Sequence, residues 1–231
     1  MQDLSNIGQM SSLKLDSGTS ARYLKAGKGA PMILLHTIRT QLDYFQLMIQ
    51  ALAQHYTVYA VDFPGHGVSS IGTKASYDES YFRAAIIVFI EKLNLENITI
   101  VGESIGGVIA LTVASQSQKR VKKAIASNPY DYETRYGDGL LTKFNYAGFR
   151  KGFRYVERKT FAGWRSWAKA RDFYAHVKAP VKLIYAELDW STQAERARTA
   201  QLFNAPITTI PNAGHFSFVD NPQKLTEAIL A

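Results

Sequence analysis

The strongest constraint on this chain is an alternation. Short, nearly continuous apolar runs are each closed by turn-forming residues and followed by a stretch with helical spacing. PMILLH (31–36), YTVYAVD (56–62), NITIVGE (97–103), VKKAIASN (121–128), PVKLIYAELD (180–189) and APITTIPNAGH (205–215) are the runs. Runs apolar on every position suit strands buried on both faces, and strands interleaved with helices suit a mainly parallel sheet. In QLDYFQLMIQALAQ (41–54), Leu42, Phe45, Met48 or Ile49, and Leu52 recur on one side. Further helices are predicted over about 78–93, from Ser104 to Gln118, over about 192–203, and in NPQKLTEAILA at the end. SSLKLDSGTSARYLKAG (11–27) reads as a hairpin about DSGT. The expectation is an α/β fold: a twisted sheet of about eight strands with helices on both faces.

One segment breaks the rhythm. Residues 130–179 hold no apolar strand run but many aromatics, among them Phe144, Tyr146, Phe149, Phe153, Tyr155, Phe161, Trp164 and Trp167. Between Lys143 and Lys182 there are 11 Lys/Arg against two acids, Glu157 and Asp172, so this stretch carries +9 of a chain that totals +8. It reads as a short lid inserted after the sixth strand, helical from about Phe161 to His176, within a core of 1–129 and 180–231. Aromatics facing inward with cations outward fit a lid better than a single-strand binding surface, so no nucleic-acid partner is expected. A weak attraction of this basic face to anionic surfaces is expected instead.

The absence of cysteine removes disulfides, thiolate catalysis and Cys-ligated metal. MQDLSNIGQM has neither a basic leader nor an apolar core, and the longest apolar run, AAIIVFI, covers 84–90. A membrane span needs roughly 20 residues. A cytoplasmic protein, monomer or dimer, without cofactor or metal, is the expectation.

VGESIGG (101–107) places a serine between a predicted strand and a predicted helix, flanked by Gly102 and Gly106. Small residues there allow a strained turn that pushes Oγ into the crevice beyond the strand ends. A hydroxyl becomes a useful nucleophile only when a base takes its proton, and the base needs a carboxylate to fix its tautomer. His215 follows the strand PITTIP, and Asp189 stands just after VKLIYAE. Asp131, after the preceding strand, is the competing acid; the chain order Ser, Asp, His favours Asp189. His36 and His66 sit in motif turns and are read as structural, and Asp62 with Gly65 and Gly67 as a turn without chemistry.

LLHTIRT (34–40), VDFPGHGVSS (61–70), VGESIGG, AELDW (186–190) and NAGHFSF (212–218) together resemble the α/β-hydrolase fold superfamily over nearly the whole chain. The resemblance implies Ser104 as nucleophile, Asp189 as acid and His215 as base. It also implies an oxyanion hole from the backbone N–H groups of Ile105 and Ile38. Where the family usually has His-Gly, this chain has His36-Thr37, so Thr37 and Arg39 are expected to intrude on the site. With Glu103, Trp164, Trp167, Trp190 and Phe216 they are the candidate pocket residues. The implied activity is hydrolysis of a carboxylic ester or related small acyl substrate. Thioester hydrolysis, C–C hydrolysis, perhydrolysis and a binding or signalling role with little turnover are the alternatives.

Overall fold

The computed structural model describes residues 4–16, 18–72, 74–129 and 153–231. Its strands are β1 (Gln9–Lys14), β2 (Ser20–Ala26), β3 (Pro31–Leu35), β4 (Thr57–Val61), β5 (Ile98–Glu103), β6 (Val121–Ser127), β7 (Val181–Ala186) and β8 (Ile207–Ile210). They form one eight-stranded sheet in the order β1-β2-β4-β3-β5-β6-β7-β8. The β1–β2 hairpin is antiparallel and β2 runs antiparallel to β4, while every pairing from β4 to β8 is parallel.

Side-chain alternation along these strands divides the core in two. Ile33 and Leu35, Tyr59 and Val61, Ile98 and Ile100, Ala124 and Ala126, and Leu183 and Tyr185 face one side. There they meet α2 (Glu79–Lys92) and α3 (Ile105–Gln116). Met32 and Leu34, Val58 and Ala60, Val101, Ile125, and Ile184 and Ala186 face the other. On that side lie α1 (Gln46–Leu52), the short α7 (Ser217–Asp220) and α8 (Pro222–Leu230). The central strands are therefore apolar at most positions because both faces are covered, as the sequence pattern implied.

Capping agrees with the sequence. Asp78 accepts the Tyr81 N–H at the start of α2. Thr192 and Glu195 form a reciprocal capping box at α6 (Gln193–Phe203). One difference lies at 41–54, where the helix expected throughout divides into a 3-10 turn (Leu42–Phe45) and α1. At the start of that turn the Leu42 N–H donates to Asp62 Oδ1 at 2.7 Å.

The helical reading of the basic segment also changes. Helix begins at Phe153, not near Phe161: α4 covers Phe153–Ala162 and α5 covers Trp164–Tyr174. Gly163 separates them where a Cβ would come within 2.7 Å of the Asp78 Cβ. Val156, Trp167, Ala170 and Tyr174 enter the same core as α2 and α3. Trp167, expected at a pocket, is fully buried there, and its indole N–H donates to the Thr160 carbonyl at 3.1 Å. Asp131, Phe144, Tyr146 and Phe149 lie outside the described residues, and so does the side chain of Trp164.

Asp62, read as a plain turn residue, anchors one end of the sheet. Arg22 Nε donates to its Oδ2 at 2.6 Å, and Arg22 Nη2 donates to Asp43 at 3.0 Å. Gly67 takes φ +53°, and any Cβ there would strike the Asp62 carboxylate. Removing one member of a buried ion pair strands the other's charge, at about 3–5 kcal/mol. Asp62→Ala is expected to lose about 3 kcal/mol or more, read from urea unfolding at neutral pH; a loss below ~1 kcal/mol contradicts this role for the pair.

Candidate active site

β5 delivers Ser104 to the edge of the sheet. Its backbone has φ 55° and ψ −116°, a strained left-handed conformation that non-glycine residues rarely adopt. The Ser104 N–H donates to the Ser127 carbonyl at 2.8 Å, and its own carbonyl accepts the Val108 N–H at 3.1 Å as α3 begins. Glycine on either side is what makes the turn feasible. A Cβ on Gly102 would fall on the Gly106 carbonyl; a Cβ on Gly106 would strike the Leu35 carbonyl and lie 2.5 Å from that of His36. The first turn of α3 thus rests directly on the backbone at the end of β3.

The loop after β3 comes to the same place. Thr40 N–H donates to the Thr37 carbonyl at 3.3 Å, closing a turn in which Arg39 takes φ 67°. The left-handed position of this turn is Arg39, its third residue, and Thr37 needs no positive φ. The Thr37 N–H is taken by Thr40 Oγ1 at 3.1 Å. Among the described hydrogen bonds, none uses the N–H of Ile38 or of Ile105, the first residue of α3, where a helix leaves its N–H groups unpaired. Arg39 reaches away to α4: its Nε meets Glu157 Oε1 at 2.5 Å.

His36 fixes this loop from below. Its Nδ1–H donates to the Thr37 carbonyl at 2.7 Å, and its Nε2 accepts the Phe63 N–H at 3.0 Å. Both roles require the neutral ring. Burial lowers its pKa to about 4, the bond to Thr37 opposes that shift, and Arg22 adds to it.

The loops after β7 and β8 bring Asp189 and His215 together, with His215 Nδ1 2.5 Å from Asp189 Oδ1. Oδ2 of Asp189 accepts the Ser191 N–H at 3.0 Å and the Ser191 hydroxyl. Burial alone would raise the Asp189 carboxyl, but the bond and charge of His215 and the two bonds from Ser191 outweigh it. The group sits below the ordinary carboxylate range and is ionised at neutral pH. Trp190 stacks face to face on the His215 ring, with centroids 3.7 Å apart and planes at 21°, while remaining 40% exposed. Phe216 meets the same ring edge-on at 5.5 Å.

Glu103 differs from its expected place at the pocket. It is 1% exposed and bonds inward to Asn128 and Ser217. Asn128 and Ser191 carry no motif in the sequence, and Ser217 lies within NAGHFSF without being singled out there. Only the Asp-x-Ser spacing of Asp189 and Ser191, which suits an Asx turn, could have pointed to one of them. Among the described residues no group of three or more His, Asp or Glu is set to hold a metal ion, and no helix is long and apolar enough to cross a membrane.

A mostly parallel sheet with a strained serine at a strand-to-helix turn, and a His–Asp pair on two later loops, is the arrangement of an α/β hydrolase. The chain belongs to that superfamily: the family model for the alpha/beta hydrolase fold matches residues 30–141. It is 29% identical over 116 residues to the (E)-2-((N-methylformamido)methylene)succinate hydrolase of Acinetobacter baylyi, covering 50% of this chain and 44% of that protein. The 2-hydroxy-6-oxo-6-(2'-aminophenyl)hexa-2,4-dienoic acid hydrolase of Metapseudomonas resinovorans is 24% identical over 257 aligned positions, covering 93% of this chain and 87% of the relative. The chain spans less than half the length of several curated relatives that it matches. The crystal structure of E-2-(acetamidomethylene)succinate hydrolase superposes with a TM-score of 0.84 over 96% of this chain and 97% of that one, at 21% identity.

The glycine contacts yield a paired test. Gly102→Ala forces backbone apart and is expected to cost roughly 3 kcal/mol or more, beyond the usual range of overpacking. At Gly107 an added Cβ would lie 3.1 Å from the nearest backbone atom, so Gly107→Ala should melt much closer to the parent. Equal melting temperatures for the two variants would contradict the close approach.

Proposed function

We propose that this protein is a serine hydrolase that cleaves a carboxylic ester or related acyl substrate through an acyl-enzyme. The observation that carries this reading is the backbone of Ser104: strain of this kind costs on the order of 1–3 kcal/mol and persists where function requires it. In the reaction, Ser104 Oγ attacks the carbonyl carbon while His215 Nε2 takes its proton. Asp189 holds Nδ1–H and so fixes the tautomer that leaves Nε2 free. The N–H groups of Ile105 and Ile38 receive the oxyanion, each donor being worth on the order of 10²–10³ in rate. His215 returns the proton to the departing alcohol. Water, deprotonated by the same ring, then attacks the acyl carbon and releases the acid and Ser104.

A second reading keeps these roles and changes the bond: hydrolysis of a C–C bond next to a carbonyl in a β-diketone-like acid. It is favoured by the relative named for an oxo-dienoic acid, which aligns with 93% of the chain. Two of the relatives and one structural neighbour are named for carboxylic acid substrates, which makes an acidic substrate the first to try.

A fluorophosphonate probe should label Ser104, and the label should be absent in Ser104→Ala. Folded protein that stays unlabelled, beside a reactive control hydrolase, contradicts the enzyme reading. On p-nitrophenyl esters of rising chain length, Ser104→Ala is expected to lower kcat/KM by roughly 10⁴-fold or more. Asp189→Asn should lower kcat by about 10⁴-fold with KM little changed, since it disturbs the tautomer and not the binding. Hydrolysis of an oxo-dienoic acid, with no turnover of any ester, would move the assignment to the second reading.

A further inference from the structure

Beneath the three loops lies a buried polar cluster that the reaction above does not use. Glu103 closes β5 immediately before Ser104 and is almost wholly buried. Its Oε1 accepts an N–H of Asn128 at 2.8 Å, and its Oε2 lies 3.2 Å from the Ser217 hydroxyl. Ser217 Oγ is in turn 3.2 Å from Ser127 Oγ. The same Asn128 amide nitrogen donates to the carbonyl of His215 at 3.1 Å, while its oxygen accepts the Ala186 N–H at 2.7 Å. Asn128 holds φ 43°, a left-handed conformation that asparagine tolerates better than most residues. One amide therefore ties the nucleophile strand, the strand leading to Asp189 and the backbone of His215 to a single carboxyl group.

The chemistry of the cluster decides the charge of that group. Its described partners from β6 and α7 are an amide and two hydroxyls, none of them a cation. Among the described residues, the ionisable side chains on the adjoining loops are Asp189, whose charge opposes a second anion, and His215, whose ring is engaged by Asp189. A buried carboxylate without a counter-charge is costly, and the group avoids this cost by keeping its proton. Burial pushes the Glu103 carboxyl up to about 8; bonds from Ser127, Asn128 and Ser217 pull it back, and Asp189 raises it further.

Building on the hydrolase reading, we propose that Glu103 is a positioning residue: as an uncharged acid it completes, with Asn128 and Ser217, a buried bracket that sets the His215 loop against the nucleophile strand. The Asn128 amide and the Ser217 hydroxyl donate to the two carboxyl oxygens, and the acid keeps its own proton because no described cation answers a charge there. When the acid ionises, a second anion stands near Asp189 in a buried site without a described counter-charge, and the cost of that charge loosens the bracket. The folded protein holds this proton at pH values where the unfolded chain has released it. This group's contribution to stability is therefore full below the ordinary glutamate range and is lost as pH rises toward about 8. His36, held neutral down to about 4, gives the opposite slope on the acid side, so the comparison must be made between paired variants.

Glu103→Gln keeps the shape and cannot ionise; Glu103→Leu removes the bracket. On the best ester, Gln should hold kcat within about threefold of the parent at pH 7 and abolish the parent's fall in kcat through pH 8, with KM unchanged. Leu should lower kcat on the order of 10²-fold, the scale of a small misplacement of reacting groups. In melting curves from pH 4 to 9, Gln should gain on the parent steadily from about pH 5 to 8 and by a constant margin above. Superimposable pH dependences of melting for Gln and parent, or a Gln variant as inactive as Leu, would overturn the proposal. If Ser104 proves unreactive, the hydrolase reading falls on its own, and the paired melting curves still decide whether Glu103 is held uncharged.

Discussion

Everything at this site follows from one contact between backbones. The first turn of α3 lies so close to the ends of β5 and β3 that positions 102 and 106 have no room for a side chain. That closeness bends the chain at Ser104 into a left-handed conformation, and beside it no described hydrogen bond uses the N–H of Ile105. A longer loop could carry a serine at less strain. It would not present a hydroxyl and a helix N-terminus to one point together. The cost of the bend is met by the sheet, whose central strands are buried on both faces and do not yield locally.

Two polar systems flank this contact and solve the problem of buried charge in opposite ways. On the hairpin side, Arg22 is shared between Asp62 and Asp43, and Asp62 also receives the Leu42 N–H. Ions are kept there because each has a partner. On the side of the histidine loop, Glu103 meets, among the described residues, an amide and hydroxyls but no cation, and is relieved of its charge instead. The first system sets where the β3 loop lies; the second reaches the histidine through its own carbonyl. Ser104 stands between them.

The sheet was legible because its signal is collective. Each central strand repeats the same apolar run, and no single residue has to be read correctly for the fold to emerge. Ser104, Asp189 and His215 were legible as candidates because they fall in order at strand ends. What could not be read depends on single contacts between distant segments. Arg39 was expected to intrude on the site, yet its side chain reaches away to Glu157. Trp167 looked like a lid aromatic and is core, because α5 packs down on α2 and α3. Glu103 looked like a pocket residue until Asn128 and Ser217 closed over it. Asn128 carries no motif, and its importance exists only once β6, β7 and the histidine loop are side by side.

The central claim is that Ser104 forms a covalent bond with the substrate's acyl group. It is tested most directly by quenching the enzyme within its first turnover of an activated ester and weighing the peptide that contains Ser104. An added mass equal to the acyl group is expected on that peptide, absent in Ser104→Ala. Full turnover with the serine never acylated at any quench time would contradict it.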